Sequence, residues 1–257
     1  MKILPRYFYK HFIYSGFIVG GLILALSSCT TKPKSDIDTP EYHYKAGMRQ
    51  IEMRQYLDAK ISFQRSIDLD KKFTPGYCGM GLAHAHLGNK KEAKKLVNKA
   101  EGMAERNPDL LTLCARVWIT LRNQDKRWHK SAEKLLKKAL KREKKHEGAL
   151  YYTGEMQLYK HEFSHAQDYF RQVVEMRGEY SGRADDKWQL SQKIVRAMPG
   201  TSQGKKVALY EKITRADLAA LFSEELKISE LMKRQSKTGG GFQTPTEMVT
   251  AGTDARN

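Results

Sequence analysis

The chain has 257 residues, with 46 Lys and Arg against 29 Asp and Glu, for a formal net charge of +17. A hydrophobic fraction of 40% supports a packed core and excludes a wholly disordered chain, and three cysteines are too few for a disulfide-dense scaffold. The basic excess favours anionic partners: lipid head groups, acidic polysaccharide, acidic proteins or nucleic acid.

The chain opens with Lys2, Arg6 and Lys10 and no acid, then an apolar run from Phe12 to Leu26, then Ser27 and Ser28 before Cys29. A basic start, a short apolar middle and small residues at the cut are the layout of a secretory signal. The run is about 15 residues, short of the ~20 that span a bilayer, which weighs against an uncleaved anchor helix. Leu26-Ser27-Ser28-Cys29 resembles a bacterial lipobox. The resemblance implies a diacylglyceryl group on the Cys29 thiol, removal of residues 1–28 as a signal peptide and acylation (palmitate) of the new amine. It places the chain in the cell envelope, lipid-anchored. Thr30 follows the cysteine where some relatives carry an inner-membrane-retaining Asp, which favours the outer membrane, facing the periplasm. Export ranks envelope partners above nucleic acid. Residues 29–39 are a linker after the lipidated cysteine.

The body of the chain is periodic. Gly47 and Gly81 are 34 apart, as are Ala59 and Ala93, Phe63 and Val97, Ser66 and Ala100; later, Ala132 and Ala166, Leu136 and Phe170, Ala139 and Val173 repeat the interval. Ala59, Phe63 and Ser66 share one helical face. Small residues let two helices approach, the large one fills the gap between them, and each helix pair leaves an apolar side for the next pair to bury. This pattern closely resembles the tetratricopeptide repeat. The fold expected is all-α: a helical-hairpin solenoid over residues 40–198 with about four repeats and a capping helix. The repeats run over 40–73, 74–107, 108–143 and 147–180. The third has Ala115 where Gly is usual and five residues too many around Asn123 to Trp128, read as a longer turn or an extended helix end. Asp185 to Met198 is the capping helix, stopped by Pro199-Gly200.

His161-Glu162-Phe163-Ser164-His165 matches H-E-x-x-H, which on one helix holds zinc beside a general base. Here the repeat register puts His161 in the turn before the second helix, so the two imidazoles do not converge. His84 and His86, two apart, do not share a helix face, and His84 takes a packing position. No catalytic residue, metal ligand or cofactor is assigned, and the chain reads as a binding protein and not an enzyme. Cys78 and Cys114 fall on different helices and at unlike repeat positions; small buried thiols are favoured over the disulfide that an exported compartment permits.

In tetratricopeptide proteins the first helices of successive repeats line a peptide groove. The resemblance carries that role onto Tyr44, Met48 and Glu52 in repeat one, with Ile51 beside them. It gives Leu82 and His86 with Cys78 in repeat two, Arg116 with Thr112 and Ile119 in repeat three, and Tyr151, Glu155 and Tyr159 with Leu158 in repeat four. This lining is aromatic and apolar with few charges, suited to a protein segment with apolar anchors. The Lys/Asn/Arg set that grips C-terminal carboxylates in chaperone-binding relatives is missing. His129 to His146 is the most basic segment, with Ala132, Leu135, Leu136, Ala139 and Leu140 as an apolar stripe under a cover of lysines. It is a solvated second helix or a docking face for acidic lipid or polymer.

Residues 205–235 form a further helical segment. Ile213-Thr214-Arg215-Ala216-Asp217 resembles the start of an S-layer homology module, a family that binds cell-wall polysaccharide; the resemblance spans one helix, without the module's second half and its Pro-Asp-Gly turn, and the segment is a degenerate module, a truncated one or a plain amphipathic helix. Thr214 caps the helix, Asp217 answers it, and Leu218, Leu221 and Phe222 form an apolar face. Residues 236–257, rich in Gly, Thr and Ser, are a disordered tail. The function expected is a lipid-anchored scaffold for protein partners in envelope complex assembly. The alternative is a binder of cell-wall or other anionic polymer, using the C-terminal helix and the basic face.

Overall fold

The computed structural model describes residues 32–225 and 227–237. The signal segment 1–28, Cys29 and residues 238–257 of the expected tail lie outside them. Among the described residues the regular elements are helical: α1 (Pro40–Glu52), α2 (Tyr56–Leu69), α3 (Thr74–His86), α4 (Lys90–Ala104), α5 (Pro108–Thr120), a 3-10 turn (Leu121–Asn123), α6 (Trp128–Arg142), α7 (Glu147–Tyr159), α8 (Phe163–Met176), α9 (Ser181–Ala197), α10 (Ser202–Val207), α11 (Arg215–Glu224) and α12 (Ile228–Lys237). The chain divides into two compact units between Tyr152 and Thr153, inside α7.

In the first unit α1 packs on α2, α3 on α4 and α5 on α6, and α3 also packs against α1, α2 and α5. This is the hairpin array that the 34-residue spacing predicts. The small and large residues of the repeat do the packing: Ala59, Phe63 and Ser66 of α2, Ala93, Val97 and Ala100 of α4, and Ala132, Leu136 and Ala139 of α6 are buried. Phe63 lies against two first helices at once. A Cβ on Gly47 of α1 would stand 2.6 Å from Phe63 Cε1, and one on Gly79 of α3 would also meet that ring. Glycine at both positions is what admits the aromatic ring.

Helix starts follow the sequence. Each first helix of this unit opens with Pro in its first two positions, where a missing N–H costs nothing. Thr39 and Asn107 cap α1 and α5 by accepting from Tyr42 N and Leu110 N. The turn after the first helix places one residue in the left-handed region, Arg54 at φ 61° in repeat one and Gly88 at φ 78° in repeat two. Repeat three breaks this rule with its extra residues, which form both readings at once: a 3-10 extension, Leu121–Asn123, and a longer loop to α6. Asp125 organises that loop. Its carboxylate accepts from Lys94 Nζ at 2.7 Å and from Arg127 N at 2.9 Å, with Lys90 Nζ 3.5 Å away. Gln124 Nε2 donates to Ala85 O at 2.8 Å, near the end of α3.

The segment expected as a linker is partly built into the fold. Asp38 is buried, accepts from Lys34 N at 2.7 Å and from Arg65 Nε of α2 at 3.1 Å, and lies 2.7 Å from His43 Nε2. These partners, Arg65 foremost, hold its carboxyl well below the usual carboxylate range.

In the second unit α8 packs on α9, α10 on α11 and α11 on α12. Ala166, Phe170 and Val173 of α8 and Ala184 and Ile194 of α9 are buried. Gly154 repeats the role of Gly47: a Cβ there would stand 2.7 Å from Phe170 Cε1. The capping helix is α9, which starts at Ser181, earlier than expected, and ends at Ala197, with Met198 as its cap in the left-handed region before Pro199-Gly200. Glu225 ties the later helices together, accepting from Thr201 N at 2.8 Å, Thr201 Oγ1 at 2.6 Å and Gly200 N at 3.1 Å. The capping box of Thr214 and Asp217 at the start of α11 is present. No residue of α11 is buried, and Leu218 and Phe222 of its apolar face are exposed among the described residues.

Candidate protein-binding surface

The expected groove residues separate into two sets. Leu82 and Tyr151 are buried, 3% and 4% exposed, and so are Ile51, Cys78, Thr112, Ile119 and Leu158. These side chains lie in the packing between helices. A first helix inside the array has neighbours on several sides, and ten of the thirteen residues of α3 are buried. Tyr44 is half-buried, its ring 6.0 Å from those of both Phe63 and Phe73, the latter just before α3. Glu52 and His86 are exposed, and Met48, Arg116, Glu155 and Tyr159 are half-buried. Glu155 and Tyr159 belong to the second unit.

What the first unit brings together is centred on His86, at the end of α3. Its ring stacks on Tyr56 of α2, with centroids 4.5 Å apart and planes 2° apart. The partial enclosure of the ring, and then the charges of Arg116, Arg122 and Arg54, push its pKa down to about 4. These three cations come from α5, the 3-10 turn and the turn after α1. Arg116 lies over the Tyr152 ring, 5.7 Å from its centroid. Neither Arg54 nor Arg116 enters an ion pair among the described residues. Beside the few charges expected, the charges of Arg116, Arg122 and Arg54 act on the stacked His86 ring. The sequence did not show it, because Arg54, Arg116 and Arg122 occupy unlike positions in their repeats and converge only when the hairpins stack.

His84 is buried with Nδ1 unpartnered, while His86 points outward, so the two occupy different faces as spaced. Burial, then the charge of Lys60, lowers the His84 pKa. His161 sits in the turn between α7 and α8 at φ 64°, and α8 begins only at Phe163. The H-E-x-x-H residues are thus not on one helix, as the repeat register predicts. His146, the last residue of the basic segment, is buried and structural: Nδ1 accepts from Ala149 N at 3.0 Å at the start of α7. That bond leaves the proton on Nε2, which donates to Asp109 Oδ1 at 2.9 Å.

The basic helix α6 buries Trp128, Ala132, Leu135, Leu136 and Ala139, while Leu140 is half-buried. Several of its lysines are paired, Lys134 with Glu101 at 3.1 Å and Lys137 with Glu133 at 2.7 Å. Beside its N-terminus a cleft of about 250 Å³ is lined by Lys94, Trp118, Asp125, Arg127, Lys130, Ser131 and Lys134.

Comparison with known proteins agrees with the repeat. The family model described as Tetratricopeptide repeat matches residues 74–107, which are α3 and α4. Among solved structures the chain is similar to one titled "MamA AMB-1 P212121", at 17% identity and a TM-score of 0.38, over 71% of this chain and 97% of that one. No curated protein matches. The matched segment has the boundaries that the sequence spacing assigns to the second repeat.

Proposed function

We propose that this chain is a lipid-anchored scaffold of the bacterial cell envelope that holds an acidic protein segment on the surface around His86. The repeat supports the scaffold: arrays of this kind present extended binding surfaces and carry no conserved chemistry of their own. The observation that carries the acidic partner is the Tyr56–His86 stack, on whose imidazole the charges of Arg116, Arg122 and Arg54 act, with Arg116 over the neighbouring Tyr152 ring. Arginine forks bind carboxylates in pairs of hydrogen bonds, and the flat stack offers area to an aromatic or apolar neighbour of those carboxylates. Anchoring and envelope location rest on the lipobox resemblance at Cys29. Such an anchor would hold the scaffold close to the bilayer, since α1 begins at Pro40.

The test is fluorescence anisotropy of the full chain against a library of acidic, neutral and basic peptides. Acidic peptides should bind best and weaken with salt. Arg116→Glu should lower their affinity about tenfold or more while leaving helicity unchanged. Equal binding of neutral and acidic peptides, or no effect of Arg116→Glu, ends this reading. Palmitate labelling of the wild type and Cys29→Ala, followed by fractionation, tests the anchor separately.

A second reading, binding of an anionic cell-wall polymer, is favoured by the cleft at α6, where Arg127 and Lys130 lie beside Trp118. Co-sedimentation with purified wall material that survives high salt and is lost in Arg127→Glu would support it.

A further inference from the structure

Cys78 and Cys114 come from α3 and α5, the first helices of neighbouring repeats. Their Sγ atoms are 3.2 Å apart, and the residues are 2% and 0% exposed. α3 and α5 pack directly on one another, so the contact is part of the interface between repeats two and three. Among the described residues no group of three or more metal-binding side chains includes this pair. Two thiols so placed offer each other at most a weak S–H···S contact, and their sulfurs are about 1.2 Å from the ~2.05 Å of a disulfide bond.

We propose that Cys78 and Cys114 are a dithiol that is oxidised to an intramolecular disulfide, stapling the first helix of repeat two to that of repeat three. The oxidant is a disulfide of the compartment, R–S–S–R. The thiolate of one cysteine attacks it, forming a mixed disulfide and releasing one R–SH. The second thiolate attacks the cysteine sulfur of that mixed disulfide, forming the Cys78–Cys114 bond and releasing the second R–SH. The two cysteine protons end on the two released thiols, and the two electrons go to the donor disulfide.

The contact with the Cys114 sulfur, and then burial, push the Cys78 thiol pKa up, so the closed fold holds little thiolate. The exchange therefore takes place while the chain folds or when the unit opens, and the finished bond is shielded from reductants. Its consequence reaches the binding surface. His86 lies on α3 with Cys78, and Arg116 lies two residues beyond Cys114 on α5. A covalent tie between these helices fixes the spacing of two sides of that surface. The inference stands on the first unit's geometry and does not depend on the acidic-segment reading.

The experiment uses the full chain with Cys29→Ser, so that two cysteines remain. It is reduced, unfolded, and refolded in a mixture of reduced and oxidised glutathione. After acid quenching, free thiols are alkylated with maleimide in denaturant and the intact protein and its peptides are weighed. The expected product is monomeric, takes up no maleimide, and yields one cross-linked peptide pair joining Cys78 to Cys114. Its thermal midpoint lies about 10 °C above that of the reduced protein. Cys78→Ala, with helicity checked by circular dichroism, should show no such rise. Thiol counting on protein exported to an oxidising compartment, without unfolding, is the second measurement. Two maleimides per folded chain in both measurements, glutathione adducts in place of the cross-link, or cross-linking only between chains would overturn the proposal.

Discussion

The Phe63 ring fills the space that a side chain on Gly47 would need, 2.6 Å from where its Cβ would be, and it closes on Gly79 of the next repeat in the same way. One buried aromatic thus joins three helices, α1, α2 and α3, and couples repeat one to repeat two.

Phe63→Ala should therefore destabilise the first unit by about 3–5 kcal/mol. Gly79→Ala should cost about 1–3 kcal/mol by overpacking. The two changes should not add. With the ring removed the added methyl fills part of the cavity, so the double variant should be more stable than the sum of the single effects. Urea unfolding of all four proteins measures the coupling.

His86 should titrate with a midpoint near the value of about 4 set by its enclosure and its three arginines. The folded pKa lies below the unfolded value of about 6.5, so the unfolded chain takes the proton first. The contribution of neutral His86 to stability is full above about pH 6.5 and is lost as the pH falls toward 4. Nuclear magnetic resonance of the imidazole gives the midpoint, and His86→Gln should flatten the stability profile across that window. Binding an acidic peptide should raise the midpoint.

Asp125 acts in the same sense as His86, over a more acid interval. Its hydrogen bond from Lys94, then that from the Arg127 backbone, lowers its pKa to about 2. The stabilisation is complete above the unfolded value of about 3.9 and is lost as the pH falls through about 2. Asp125→Asn should lower the thermal midpoint at pH 7 and remove the acid sensitivity in that interval. A pH series of thermal melts measures both.

His146→Ala should cost about 1–2 kcal/mol, because Ala149 N loses its acceptor at the start of α7. His146→Asn should recover most of it, since Asn accepts from the same N–H. Guanidinium unfolding compares the three proteins.

Much of the architecture was legible in one dimension because the repeat writes its packing rule into fixed spacings. The small residues at Gly47, Ala59 and Ala93 and the large one at Phe63 are required wherever two helices close on each other, and such positions recur at the 34-residue interval. Prolines at the first helix starts, Thr39, Asn107 and Thr214 as caps, and the turn at His161 are local matters that neighbouring residues decide.

The binding surface was not legible in this way. Leu82 and Tyr151 were assigned to it by position, but a helix with neighbours on several sides buries residues that an isolated hairpin would expose. Tyr56 and His86 meet across two helices, and Arg54, Arg116 and Arg122 gather about them from three segments; no spacing in the chain announces either fact. The same holds for Cys78 and Cys114, which are out of repeat register in sequence yet 3.2 Å apart in the fold. The sequence by itself determined the hairpins, because helix period, caps and small-residue spacing act over a few residues. Only the tertiary structure decided which side chains remain exposed and which charges and thiols meet, because those depend on the stacking of one hairpin upon the next.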